Sequence, residues 1–200
     1  MYFGQSLKNN IIYDRIIEGY REDFDTNSIR NLLISSVAAA NAVIFDIAKN
    51  DNSKVGMGTT CVAMLATKNS AYLVNVGDSR AYIINDDGIV QVTSDHTVVR
   101  LLYQQGKIEE KDIKSHPQRN YITKAVGVEP NVEPDYFEIN IPDNSKLLLC
   151  SDGLSNYCSD DEIFDIVSKN NIIETAGELL INLALDHGGN DNITLALITD

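Results

Sequence analysis

The sequence predicts an α+β fold, with antiparallel sheets and helices packed outside them. Three observations carry that reading. A long segment near the start repeats apolar residues at three- and four-residue spacing. The period then drops to two over several short β-branched runs separated by turn residues. Helical spacing returns late, ahead of one last short strand.

Taken in order, Ile11, Ile12, Ile16, Ile17 and Tyr20 can share one helical face, although the segment before residue 25 lacks clear caps. Asn27 or Ser28 can cap the long helix, whose stripe is Ile29, Leu32, Leu33, Val37, Ala40, Ile44 and Ile47. Small residues at 38–40 and 42 suit close packing on a sheet, and the polar run from Asn50 to Ser53 ends the helix. Thr59–Ala66 and Ala71–Val76 read as strands joined by a turn at Lys68-Asn69-Ser70. Ala81–Ile84 and Ile89–Thr93 flank Asn85-Asp86-Asp87-Gly88, whose residues a primed hairpin turn demands. Ser94 or Asp95 caps a short helix reaching Gln105, and a second short helix is expected from Glu109 to Ser115, before Pro117. This charged helical piece interrupts a run of strands, so it reads as an insertion lying over the sheet. Tyr136–Ile141 and Leu147–Cys150 return to strand character. Ser159 and Glu162 form a capping box for a helix to about Lys169. A last helix covers about Glu174–Asp186, and Ile193–Ile198 is a final strand.

Two hundred residues fit one domain, and a 44% hydrophobic share can fill a substantial core. The net charge is −13, from 16 basic and 29 acidic residues. Such a field repels nucleic acid and anionic membranes and attracts cations. No run of 18 uninterrupted apolar residues exists, so no membrane span is expected. The first six residues lack the basic and apolar regions of a secretory signal. Cys61, Cys150 and Cys158 are odd in number and form no CxxC pair, which suits a reducing cytoplasm.

Three acidic residues stand at strand ends. Asp78 follows the strand ending at Val76, and Asp152 follows Leu147–Cys150. Asp191 precedes the last strand. Asp152-Gly153 reads as a tight turn. In an antiparallel pair the end of one strand lies beside the start of the next, so adjacency of the two strands would bring Asp152 and Asp191 to one edge. Clustered carboxylates repel unless protonated or bound to cations, and an oxygen-only set selects hard divalent ions. Cys150 and Cys158 do not match a cysteine phosphatase, which needs an Arg six residues on; Asn156 and Phe164 stand there. His96 and His116 are given structural roles, and Arg80 a structural ion pair.

Six blocks in order resemble the type 2C, metal-dependent (PPM-type) serine/threonine protein phosphatases in their short bacterial form. They are Gly56-Met57-Gly58-Thr59-Thr60, Val76-Gly77-Asp78-Ser79-Arg80, Thr93-Ser94-Asp95-His96-Thr97, His116-Pro117-Gln118-Arg119-Asn120 running into Ala125-Val126-Gly127, Cys150-Ser151-Asp152-Gly153-Leu154, and Gly189-Asn190-Asp191-Asn192-Ile193-Thr194. The resemblance implies a sandwich of two antiparallel β-sheets flanked by α-helices, forming a single domain over residues 1–200 with a flap at about 94–120. It implies that Asp152 and Asp191 are ligands of a pair of Mn²⁺ or Mg²⁺ ions, and that Asp78 serves a third, weaker ion. Asn120 is a further candidate contributor, and Asn192 is expected to orient Asp191. The implied reaction is hydrolysis of phosphoserine and phosphothreonine by a water bridging two metals. The implied partners are phosphorylated proteins, substrates of a serine/threonine kinase, met by a cytoplasmic monomer.

The family ordinarily opens with two strands, the second ending in Asp-Gly-Met-Gly-Gly, whose Asp bridges both metals. No segment of this chain matches them, and the residue directly before Gly56 is Val55 rather than Asp. The chain is therefore expected to be an N-terminally incomplete domain of weak or no activity. The alternative is a non-catalytic regulator on the same fold that binds phosphoproteins or a kinase.

Overall fold

The computed structural model describes residues 11–199; the reading of the first six residues lies outside that range. Among the described residues, seven strands form two antiparallel sheets. Sheet one has the order β1 (Cys61–Ala66), β2 (Ser70–Val76), β5 (Asp135–Asn140). Sheet two has the order β4 (Gly88–Gln91), β3 (Arg80–Asn85), β6 (Lys146–Cys150), β7 (Leu195–Ile198). Helices α1 (Ile11–Gly19) and α2 (Thr26–Asn50) precede the strands. Helix α3 (Val98–Gln104) lies between β4 and β5, and α4 (Asp152–Ser155), α5 (Asp160–Lys169) and α6 (Ile173–Asp186) lie between β6 and β7.

The period-two alternation sorts the side chains into three apolar layers. Met64, Ala71, Leu73, Ala81, Leu147 and Leu149 fill the space between the sheets. The opposite faces of β1 and β2 (Ala63, Leu65, Val74, Val76) pack on Ile16, Ile29, Leu33, Val37 and Ala40 of α1 and α2. The outer face of sheet two (Tyr82, Ile84, Leu148, Cys150) packs on Leu154, Ile163, Val167, Ala176 and Leu180 of the late helices. The expected helix–sheet–sheet–helix sandwich is thus the observed one. By length and composition alone α2 could also cross a membrane, but here its apolar stripe covers sheet one.

Several local expectations give way to better partners. The N-cap of α2 is Asp25, whose Oδ1 accepts from Ser28 N at 2.7 Å, rather than Asn27 or Ser28. Helix α3 starts three residues after Asp95, capped by Thr97. Asp95 is unavailable as a cap because Arg80 and Gln91 occupy its carboxylate, while Ser94 O accepts from Asn75. The second short helix shrinks to a 3₁₀ turn at Glu110–Asp112, closed by a reciprocal box between Glu109 and Asp112. Strand β7 starts at Leu195 rather than Ile193, because Thr194 N bonds the Ser151 hydroxyl instead of continuing the ladder. The capping box of α5 is present as read, with Ser159 and Glu162 bonded reciprocally.

Two long-range polar contacts lock layers together. Lys146 Nζ donates to Val167 O and Asn170 O (2.6 and 2.8 Å), so a strand residue caps the C-terminus of α5. Asn41, 2% exposed on α2, accepts from Gly127 N (2.6 Å) and donates to Glu129 O and Pro130 O. It thereby clamps the stretch leading into β5. Asn41→Ala should leave three backbone groups without this partner and lower stability by about 2 kcal/mol, read as a smaller midpoint at unchanged slope in urea unfolding.

Candidate metal centre

Three neighbouring strands bring the acidic loops to one end of sheet two. Arg80 of β3 pairs with Cys150 of β6, and Cys150 pairs with Leu195 of β7. Asp78 lies two residues before Arg80, Asp152 two after Cys150, and Asp191 four before Leu195. The antiparallel register therefore delivers all three to the same edge, as the strand-end argument required for Asp152 and Asp191. Asp78 sits in the short crossing from β2 of sheet one to β3 of sheet two.

The electrostatics record this proximity. Burial pushes the Asp78 carboxyl up to about 6, with repulsion from Asp152 adding to it. Burial also raises Asp152, with Asp191 as the repelling neighbour. Asp152 is thus the middle member, adjoining one carboxylate on each side. Among the described residues no three His, Cys, Asp or Glu side chains close into a cage around a single point. The groove of about 800 Å³ between β4 and β5 lies elsewhere; none of the three aspartates lines it.

The Asp152 and Asp191 loops are joined tightly. Ser151 N donates to Thr194 O (2.9 Å), and its hydroxyl donates to Asn192 O and accepts from Thr194 N, both at 3.0 Å. Sequence reasoning missed Ser151; its place directly before Asp152, facing the last strand, was the available signal. Asn156 Nδ2 reaches Asp152 Oδ2 at 3.3 Å, and Asn192 N donates to Asp191 Oδ1 at 2.7 Å. Asn192 therefore orients Asp191 through its backbone. Asn120 is exposed on the segment between β4 and β5.

The expected tight turn at Asp152-Gly153 is corrected. Asp152 opens the one-turn helix α4, and Gly153 has no positive φ. Gly is required there by space: a Cβ would stand 2.4 Å from Asn192 O and 2.9 Å from Asn192 C, both backbone atoms. The two acidic loops touch at this glycine.

The other candidates take structural places. Arg80 Nε and Nη2 grip the Asp95 carboxylate at 2.6–3.1 Å, and Nη1 donates to Tyr82 OH. His116 Nδ1 accepts from Gln118 N. All three cysteines are free. Burial pushes the Cys150 thiol up to about 12 and the Cys158 thiol up to about 11, so neither supplies a thiolate nucleophile near neutral pH.

Residues 5–102 match the family model for protein phosphatase 2C. The serine/threonine phosphatase stp of Listeria welshimeri is 36% identical over 170 residues, which span 85% of this chain and 68% of that protein. The crystal structure of serine/threonine phosphatase Stp1 from Staphylococcus aureus superposes with a TM-score of 0.87 at 37% identity, covering 94% of this chain and 74% of that one. The catalytic domain of the phosphatase PstP, solved in complex with two manganese ions, gives 0.79 at 31% identity, covering 94% and 77%. Fold and likeness together define a metal-dependent protein phosphatase. The chain belongs to the protein phosphatase 2C family of serine/threonine phosphatases.

Two outcomes test the local geometry. Gly153→Ala should force the Asp152 and Asp191 loops apart and lower stability by roughly 2 kcal/mol, with weaker Mn²⁺ binding in calorimetry. For Asp78 the folded pKa is raised, so its stabilising contribution is complete below the unfolded value near 4 and is lost as pH rises through about 6. In EDTA, Asp78→Asn should therefore be more stable than wild type at pH 7.5 by about 1–2 kcal/mol, after discounting for solvent screening, and equal to it below pH 4.

Proposed function

We propose that the chain hydrolyses phosphoserine and phosphothreonine in proteins, using Mn²⁺ or Mg²⁺ held by Asp152 and Asp191, with Asp78 serving a further ion. The observation that carries this reading is the register row Arg80–Cys150–Leu195, which sends three acidic loops to one edge. The donor chemistry fits hard cations: carboxylate oxygens, raised by burial and mutual repulsion that a bound cation relieves. When bound, such ions acidify a water and neutralise charge on the phosphoryl oxygens. The chain's own residues orient the donors. Ser151 fixes the spacing of the Asp152 and Asp191 loops, Asn156 steadies Asp152, and the Asn192 amide steadies Asp191. The net charge of −13 concentrates cations at such a mouth. Free thiols support the expected cytoplasmic location. We assign the phosphorylated products of a serine/threonine kinase as substrates, the enzyme acting as a monomer with residues 94–120 as a flap beside the catalytic edge.

One observation favours a second reading. The described carboxylates do not close into a cage, which suits a domain that binds phosphoproteins without turning them over. Mn²⁺-dependent hydrolysis of an aryl phosphate and of a phosphothreonine peptide separates the two. The first reading expects both activities, with a preference for the peptide and a loss of roughly 100-fold or more in Asp152→Asn. Full Mn²⁺-dependent turnover in Asp152→Asn overturns the ligand assignment. Binding of the phosphopeptide without turnover establishes the second reading.

A further inference from the structure

His96 lies at the entrance to the segment between β4 and β5, its side chain 11% exposed. It is tied to Gly77, the residue before Asp78, at both its backbone C=O and its backbone N–H. His96 N donates to Gly77 O at 2.9 Å, and Gly77 N donates to His96 Nδ1 at 3.0 Å. Gly77 holds φ +107, and a Cβ there would stand 2.4 Å from the Thr60 side chain. The turn is thus held in a conformation that favours glycine. Asn75 Nδ2 also reaches Gly77 O, so that carbonyl has a second partner. Among the described residues, the Gly77 N–H is held by the imidazole alone.

With Nδ1 accepting, the network assigns the neutral ring's proton to Nε2. Nε2 lies 3.1 Å from Asp135 Oδ2 without an aligned hydrogen bond, so the carboxylate's charge faces the Nε2–H of the neutral ring. Asp135 is the first residue of β5 and also pairs with Lys124 at 3.1 Å. The same histidine closes the base of the inserted segment. Thr123 N donates to His96 O at 2.7 Å, beside the Thr97–Ile122 bridge. One residue therefore joins the Asp78 turn, both ends of the insertion and the start of β5: its ring reaches Gly77 N and Asp135, and its backbone reaches Gly77 O and Thr123 N.

We propose that His96 is a positioning residue: backed by Asp135, it holds the Gly77 peptide so that the Asp78 carboxylate faces Asp152, and it couples cation loading at Asp78 to the order of the insertion's base. The cation half of this statement rests on the assignment of Asp78 as a ligand. Removing the ring leaves a part-buried N–H without its acceptor and frees the turn to rotate. Asn can present an amide oxygen to the same N–H, so His96→Asn is the conservative rescue.

The experiment compares wild type, His96→Ala, His96→Asn, Asp135→Asn and Asp78→Asn. It reads the imidazole tautomer by ¹⁵N NMR, Gly77 amide exchange, and Mn²⁺ binding by paramagnetic resonance without substrate. Wild type should show a protonated Nε2 and a protected Gly77 amide. His96→Ala should deprotect Gly77 and weaken the Asp78-dependent Mn²⁺ site about tenfold, as loss of a group supporting a metal ligand does. His96→Asn should restore most of both. Wild-type Gly77 protection, or Mn²⁺ binding unchanged by His96→Ala while Asp78→Asn weakens it, overturns the positioning role. Where His96→Ala fails to fold, Asp135→Asn decides: partial deprotection of Gly77 supports the role, and none overturns it. Unchanged Mn²⁺ binding in Asp78→Asn removes the ligand assignment, and the tautomer and exchange measurements still judge the hold on the turn.

Discussion

The hydrogen-bonded row of Arg80, Cys150 and Leu195 across sheet two sets where everything acidic goes. Each strand is short and apolar on both faces, buried against the sister sheet on one side and helices on the other. A slip of one residue in any of them would turn its core residues to the wrong layer, so packing fixes the register strongly. The loops that leave the row inherit that precision. Three flexible carboxylate side chains thus stand on a rigid base without contributing to its stability.

They oppose it instead. Burial raises both Asp78 and Asp152, with the charge of Asp152 adding to the first and that of Asp191 to the second. Repulsion of this kind favours dispersal of the loops, and specific contacts prevent it. The Ser151 hydroxyl bonds both sides of the neighbouring loop, and Gly153 lets that loop's backbone come into contact. A site that is costly when empty and relieved when a cation binds is a common arrangement where function rather than stability selects the residues.

The insertion between β4 and β5 is anchored by polar contacts at its ends. Asn41 holds 127–130 from α2, while His96 and Thr123 close the base beside the Asp78 turn. Its interior carries one two-turn helix and a 3₁₀ turn. Arg80 and Asp95 link this region to sheet two through a bidentate pair. The anchoring explains how a segment with little buried apolar surface keeps a defined relation to the acidic edge.

Periodicity and turn chemistry made the elements legible in the sequence. The stripe of α2, the alternation in β1–β3 and β6 and the Ser159–Glu162 box are all local signals, and each element formed within about two residues of the reading. The Asn85–Gly88 hairpin turn also formed, but it is not the primed turn expected: Asp86 and Asp87 have no positive φ, and Gly88 carries it instead. Strand ends also marked Asp78, Asp152 and Asp191, because a carboxylate after a buried strand sits at an edge. What the sequence alone left undecided was every competition between partners. Asp95 could cap a helix or bind Arg80, and the bidentate pair won. Gly153 could make a turn or admit a neighbour, and the Asn192 backbone occupies the space. The hydrogen bonds of Ser151 and His96 cannot be read locally, since their partners lie 41 to 43 and 19 residues away. Local propensity is written along the chain, whereas the choice among acceptors and the approach of two loops exist only once the sheets have packed.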